Sequence, residues 1–384
     1  MISNGEQGVY DPAVPEELRV RGGLPNAFQK LEAGEPVCVA YVGGSITDAE
    51  GWRVKTFDWL QQKFPDSELS QVEAAIPGTG ADFAACRLSD DLLPYNPDLV
   101  FVEFRVNLGG GFEARAIEGV VRQIWEANPE TDICLVYTIG DWMIEKLQNN
   151  EQFFFGEIME TMANEYGIPS IDFGVEVIKR LNNDTLVFES DQPVAGKLHF
   201  SRDGVHPIDE GHELYKEIVA RSFKTMQGQG QAGAHQMPEP LAEDHFGRAS
   251  LIPVEHLETI GGWVPVDVEN DPVYTADKKR SHAMLRGALK TAQVGDTIEF
   301  DWEGKLICFT HIPQGEGMEV TVSIDGNEPK TYQLDQKSTR NVFARFFYAP
   351  EQEDGPHTAK LTVTKLPEGT SFYVGQVMVI AASE

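Results

Sequence analysis

The chain has 384 residues, more than one hydrophobic core organises, since single cores stop growing near about 250 to 300 residues; two domains are expected, one large and one smaller. A hydrophobic fraction of 41% and a charged fraction of 24% are those of a globular protein, and no run reaches the roughly 18 to 20 apolar residues that a membrane span requires. Against 31 Lys and Arg stand 61 Asp and Glu, a formal charge of -30 that repels phosphate backbones and argues against nucleic acid as a partner.

Residues 1–20 lack a basic start followed by an apolar stretch, so no secretion signal is visible and the expected compartment is the cytoplasm. From residue 36, short apolar runs alternate with amphipathic stretches, the pattern of βαβ units on a parallel sheet. Strands are predicted at 37–42, 69–74, 99–104, 133–138 and 170–173; the first, third and fourth are nearly all apolar, as strands covered on both faces are. Helices are predicted at 52–64, 82–93, 114–127, 153–166 and 209–223.

After Met226 the small, polar, Pro-containing stretch 228–245 reads as a linker. The first domain is therefore placed at 1–228, a linker or crossing segment at 229–250 and a second domain at 251–384. Downstream runs at 297–302, 306–310, 319–324, 341–348, 358–363 and 372–379 are punctuated by Asp325-Gly326-Asn327, Gly355-Pro356 and Pro367-Glu368-Gly369. Short strands with regular turns and hardly any helix imply an all-β sandwich or jelly-roll, with Trp263, Trp302 and Phe309 in its core. Cys38, Cys86, Cys134 and Cys308 form no CxxC pair and no zinc-ligand spacing, so no metal site is expected; Cys38 and Cys134 lie in apolar runs and read as small core residues.

Ligands of an open parallel sheet bind beyond the carboxyl ends of its strands. Four segments follow there. The first strand runs into Gly43-Gly44-Ser45-Ile46-Thr47, a tight turn that leaves a serine ahead of a helix. The second is followed by Ile76-Pro77-Gly78-Thr79-Gly80, the third by Arg105-Val106-Asn107-Leu108-Gly109-Gly110, and Asp203-Gly204-Val205-His206-Pro207 precedes the last helix. Each alone has an ordinary explanation as a turn, a cap or a surface histidine. Neither GxGxxG nor GxxxxGK[ST] follows the first strand, which disfavours a nucleotide there. In combination, a serine, a backbone turn, an amide side chain and an Asp/His pair at one sheet edge are what acyl transfer needs.

These four segments resemble, in order and separation, the blocks of the SGNH (GDSL-like) hydrolases, over roughly residues 36 to 225. The resemblance implies a three-layer α/β/α, flavodoxin-like fold with a parallel five-stranded sheet, and a carbohydrate-esterase-like member with an appended β-sandwich. It implies Ser45 as nucleophile, His206 as base and then acid, Asp203 as its orienting partner, and an oxyanion hole of Ser45 N–H, Gly78 N–H and the Asn107 side chain. No metal or organic cofactor is implied. A serine hydroxyl is a weak nucleophile until an imidazole takes its proton, and the imidazole needs a carboxylate to fix its tautomer; Asp203 and His206, three apart, suit one turn.

Two positions depart from the family pattern. Gly44 stands where Asp is usual, a change common among carbohydrate-active members, and the GxND block reads Arg105-Val106-Asn107-Leu108. Strand alternation would point Arg105 to the crevice with Asn107, where it either pairs with a carboxylate or clamps an anionic sugar group. Trp52 and Trp142 are candidate sugar platforms, with core packing the ordinary alternative. The reading is a serine esterase removing an acyl group, acetyl foremost, from a small-molecule or oligosaccharide substrate. The rivals are glycosidic cleavage on the same fold and a non-catalytic carbohydrate-binding protein.

Overall fold

In the computed structural model, which describes residues 10–108, 110–334 and 343–381, the apolar runs do become strands. They are β1 (Leu18–Arg19), β2 (Val37–Gly43), β3 (Leu69–Glu73), β4 (Leu99–Glu103), β5 (Asp132–Tyr137) and β6 (Ser170–Asp172), in the spatial order β1-β6-β5-β4-β2-β3. Strands β2 to β6 are mutually parallel, and the order among them is the 2-1-3-4-5 of a flavodoxin-like sheet. The sheet thus has the five expected parallel strands and a sixth, the two-residue β1, antiparallel to β6. A Leu-Arg pair carries no periodicity by which to find it.

The helices are α1 (Pro25–Ala33), α2 (Ser45–Asp48), α3 (Trp52–Lys63), α4 (Ala81–Asp91), α5 (Glu113–Ala127), α6 (Ile144–Gln148), α7 (Phe154–Tyr166), α8 (Phe173–Asn182) and α9 (Asp209–Met226). Alternate strand residues Val37, Val39, Tyr41, Leu99, Phe101, Cys134 and Val136 pack with Phe28, Leu60, Val177, Ile218 and Phe223 of α1, α3, α8 and α9. The intervening Ala40, Val42, Val100, Val102, Ile133 and Leu135 are buried on the other face, where α5 and α7 lie. This makes three layers, and the sheet centre is apolar because both its faces are covered. Cys134 is buried as expected, while Cys38 is only half-buried. A small parallel pair, β7 (Leu186–Glu189) and β8 (Leu198–Ser201), precedes the Asp/His segment. Among the described residues no helix is long and apolar enough to cross a membrane.

The chain divides into two units, residues 1–84 with 90–242 and residues 85–89 with 243–384. The second unit contains β9 (Arg248–Ile252), β10 (Glu258–Ile260), β11 (Val264–Pro265), α10 (Lys278–Met284), β12 (Leu289–Thr291), β13 (Thr297–Gly304), β14 (Leu306–His311), β15 (Glu319–Ile324), β16 (Lys330–Gln333), β17 (Arg345–Tyr348), β18 (Gly355–Lys365) and β19 (Phe372–Ala381). Two antiparallel sheets, β10-β13-β18-β15-β16 and β11-β12-β19-β14-β17 with β9 on β19, enclose one core. That core holds Phe300 and Trp302 of one sheet and Phe309, Phe347 and Val374 of the other, with Trp263 packed against it. The expected strand 341–348 begins in residues outside the described ones; its described part is β17.

The stretch after α9 is a bound strap of the first unit. Gly233 exchanges hydrogen bonds with the Asn26 side chain, and His235 Nε2 lies 2.9 Å from Asp132 Oδ1 while its ring stacks on Trp125 at 4.8 Å. Arg122 donates to Pro238 O at 2.9 Å. The N–H groups of Leu241 and Ala242 donate to the Glu118 carboxylate at 2.6 and 2.9 Å. Asp132 and Glu118 are both buried, and removing the strap takes from each the donors that complement those of Ala27 and Tyr166. Small and polar composition reads as a linker only if such recipients are ignored. A first unit cut after Gly228 is expected to melt at least about 6 °C below one cut after Ala242, from about 3 kcal/mol of lost pairing. Thermal denaturation of the two fragments followed by circular dichroism measures it.

Candidate active site

In a 2-1-3-4-5 order the chain leaves the sheet in opposite directions after β2 and β4, and the crevice opens between their carboxyl ends. Ser45 follows β2, and Asn107 lies four residues beyond β4. Ser45 is the first residue of α2, where a backbone N–H has no intrahelical acceptor and the helix end is positive. Its side chain is half-buried. Gly44 extends the chain at φ -97 and ψ -154, and a Cβ there would overlap the Asn107 amide, so the missing side chain is what lets the amide lie against the serine turn.

The glycine turn is tied to the same place, since Ile76 N–H donates to Gly43 O at 3.0 Å. Thr79 closes it by donating through its hydroxyl to Ile76 O at 2.9 Å, and Gly78 sits exposed at φ +65, the left-handed region that glycine occupies without strain. Gly109 of the asparagine segment lies outside the described residues.

The Asp/His segment follows β8. Ser201 Oγ accepts from Asp203 N–H and Gly204 N–H and donates to Asp203 Oδ1 at 3.1 Å. Asp203 Oδ1 also accepts from the N–H groups of Val205 and His206, at 3.0 and 2.8 Å. The carboxylate is thereby fixed by the backbone of the residues it serves. Its Oδ2 lies 2.7 Å from His206 Nδ1, and His206 Nε2 lies 2.8 Å from Ser45 Oγ. Nδ1–H donates to the carboxylate, which leaves Nε2 as the acceptor for the serine hydroxyl. Partial burial pushes the Asp203 carboxyl up, but hydrogen bonds from the imidazole and from the two N–H groups outweigh it and hold the carboxyl at about 2. The structure therefore brings Ser45, Asp203 and His206 into one hydrogen-bonded line, with Gly78 and Asn107 tied to the turn that carries Ser45.

The other expected contacts divide. Arg105 does not face the crevice. β4 ends at Glu103 and Asn107 N–H turns back to Phe104 O at 2.7 Å, so strand alternation no longer governs residue 105. Its guanidinium is fully buried, donating to Asp172 Oδ2 at 2.6 Å, Gln152 Oε1 at 3.0 Å, Thr138 O at 2.8 Å and Tyr137 O at 3.2 Å. A Cβ on Gly174 would stand 2.8 Å from its Nη2, so that glycine makes room for it. The clamp for an anionic sugar is overturned in favour of a structural ion pair.

Trp52 likewise is no platform: it is fully buried, edge-on to Tyr41, Phe101 and Phe173 at 5.6 to 5.8 Å. Trp142 is 47% exposed, its indole folded over Gly140, and Asp141 N–H beside it donates to Gly204 O at 2.8 Å. It stands next to the Asp203–His206 turn. Glu103 was not singled out in the sequence. It is fully buried and accepts from Thr47 Oγ1 at 2.8 Å and Thr138 Oγ1 at 2.6 Å; a carboxylate ending the otherwise apolar run Leu99–Glu103 was the available signal. Among the described residues no group of His, Cys, Asp and Glu is arranged to hold a metal ion.

Residues 41–214 match the model of the GDSL-like lipase/acylhydrolase family. The chain is a carboxylic ester hydrolase on a three-layer α/β/α scaffold with an appended β-sandwich. Its fold is that of a two-domain esterase active on acetylated mannans, at 18% identity and a TM-score of 0.79 over 97% of this chain and 98% of that one. The same esterase co-crystallised with mannopentaose superposes at 19% identity and a TM-score of 0.76, over 93% and 94%. No curated protein matches the chain.

Two outcomes follow from the buried charges. Arg105→Met leaves Asp172 buried without its cation, and is expected to cost about 3 to 5 kcal/mol and to depress turnover of acidic and neutral esters alike. Melting curves and parallel assays on an acetylated uronate and p-nitrophenyl acetate test it. His212, whose Nδ1 accepts the Trp52 N–H at 3.1 Å, is pushed down to about 4 by burial. Below pH 6.5 the unfolded chain takes up a proton that the folded one refuses, so this contribution is complete above 6.5 and is lost as pH falls through about 4. His212→Asn should flatten the fall in stability between those values by about 2 to 3 kcal/mol, read from urea unfolding at each pH.

Proposed function

We propose that the chain removes acyl groups, acetyl foremost, from a carbohydrate through an acyl-enzyme on Ser45. The observation that carries this reading is the unbroken line Asp203–His206–Ser45, with hydrogen bonds of 2.7 and 2.8 Å. His206 Nε2 takes the Ser45 proton as Oγ bonds to the ester carbonyl carbon, and the ionised Asp203 stabilises the imidazolium. The carbonyl oxygen, now anionic, faces Ser45 N–H, Gly78 N–H and the Asn107 amide, donors each worth about 3 to 4 kcal/mol of barrier in comparable sites. His206 returns the proton to the departing sugar oxygen, and the C–O bond breaks. Water then attacks the acyl carbon, giving its proton to His206, and the serine leaves with that proton as the carboxylic acid departs.

A carbohydrate is favoured by an exposed indole beside the His206 turn and by the likeness in fold to an esterase active on acetylated mannans. An aromatic face presented to solvent next to a reacting centre suits the apolar face of a pyranose. The departure at position 105 does not argue for a non-catalytic relative, because Arg105 is accounted for beneath the site by its pairing with Asp172.

The test combines two variants. Ser45→Ala should abolish acetate release from an acetylated oligosaccharide and prevent labelling by a fluorophosphonate, while leaving the melting temperature within about 2 °C, since a half-exposed hydroxyl supports no core. Trp142→Ala should raise KM for the acetylated oligosaccharide about tenfold with little effect on p-nitrophenyl acetate, as loss of one stacking contact would. Residual activity in Ser45→Ala above a trace would remove Ser45 from the mechanism.

A further inference from the structure

The serine turn has few contacts of its own with which to hold a geometry. α2 is a single turn, closed by Asp48 N–H to Gly44 O at 2.9 Å and Ala49 N–H to Ser45 O at 3.1 Å. Gly44 before it has no side chain to pack, and Ser45 itself points to His206. Something beneath must fix where the Ser45 N–H and Oγ stand.

Directly below is Glu103, the last residue of β4. Its carboxylate accepts the Thr47 hydroxyl, two residues after Ser45, and the Thr138 hydroxyl from the end of β5. Gly43 passes so close that a Cβ there would stand 2.8 Å from Glu103 O and 2.9 Å from Thr47 Oγ1. Four residues after Glu103, on the same chain, comes Asn107, whose N–H returns to Phe104 O. We infer that Glu103 is a positioning residue: by binding the Thr47 side chain just after Ser45, with Gly43 just before it passing close over the Glu103 backbone, it sets the serine turn against the segment that carries Asn107, and so sets the width of the oxyanion hole.

The inference rests on Ser45 as nucleophile. The chemistry supports a positioning role in two ways. The buried Thr47 hydroxyl is committed to Glu103, which orients the single turn that begins at Ser45, and with it the Ser45 N–H. A fully buried carboxyl with a hydroxyl donating to each of its oxygens has one satisfied orientation, so the turn it holds does not need to be reorganised as charge develops on the substrate oxygen. Arg105 Nε holds Thr138 in turn by its carbonyl oxygen, at 2.8 Å. Glu103 reaches neither Ser45 Oγ nor the crevice, so it acts through the turn.

The test is the rate at which a fluorophosphonate labels Ser45 in the full chain, with kcat and KM for p-nitrophenyl acetate beside it. Glu103→Gln keeps the shape and one acceptor oxygen; it should slow labelling and kcat about tenfold with KM within twofold. Thr47→Val removes the donor on the serine turn and should do the same, whereas Thr138→Val, which removes a donor from β5, should lower the melting temperature at least as far while slowing labelling less than threefold. Unchanged labelling in both Glu103→Gln and Thr47→Val, or equal slowing by Thr47→Val and Thr138→Val in proportion to lost stability, would overturn the positioning role. A Ser45→Ala variant that still labels or turns over would instead overturn the nucleophile, and the two failures are told apart by that control.

Discussion

A guanidinium shut away from water must find acceptors for all its N–H groups, and at the carboxyl end of this sheet that requirement joins four neighbouring strands. Arg105, just past β4, donates to the backbone ends of β5 at Tyr137 and Thr138 and to Asp172 at the end of β6. Thr138 in turn donates to Glu103, which holds the turn after β2. Burying two opposite charges stabilises little by itself, because desolvation offsets most of the attraction. What the pair supplies is direction, since each hydrogen bond has one geometry in which it is satisfied, and the loops that bear Ser45, Asn107 and Trp142 start from these fixed points. The serine line is built on the solvent side of this network and depends on it.

Much of this was legible in the chain. The five parallel strands were readable because a sheet covered on both faces requires uninterrupted apolar runs, and β2, β4 and β5 have them. Ser45, Asn107, Asp203 and His206 were readable because each follows an element that ends at the same edge. The contacts that were misread share a cause. Arg105 was assigned a direction from strand alternation, but the strand had already ended, and a side chain that long goes wherever its charge is answered. Trp52 was placed near the crevice by its nearness to Ser45 in sequence, while the helix beginning there turns it onto Tyr41 and Phe101. Position along the chain locates a backbone; it does not say which face of a helix a ring will occupy.

The sandwich illustrates the same limit differently. Its long strands β13, β15 and β18 alternate buried and exposed positions and announce themselves, but β10, β11 and β12 span two or three residues each and exist only through their neighbours. Burial also changes what its residues are. His311, in contact with Phe347 and Phe372, is pushed down to about 3 by burial and by Arg345. Here the histidine is a core residue.

The strap after α9 bears on how the protein is made. Asp132 and Glu118 lie in the middle of the first unit, yet their partners His235 and Leu241 come 103 and 123 positions later. During synthesis the parallel sheet, α5 and α7 emerge long before the residues that answer those carboxylates. Until residue 242 has left the ribosome, Asp132 has only its contacts with Asn26 and Ala27, and Glu118 keeps the Tyr166 hydroxyl but lacks the N–H donors of the strap. Contacts of such span are formed late and slowly. A pause in translation placed between α9 and the strap would prolong exposure of an incomplete fold, whereas a pause just beyond the strap would release a finished one.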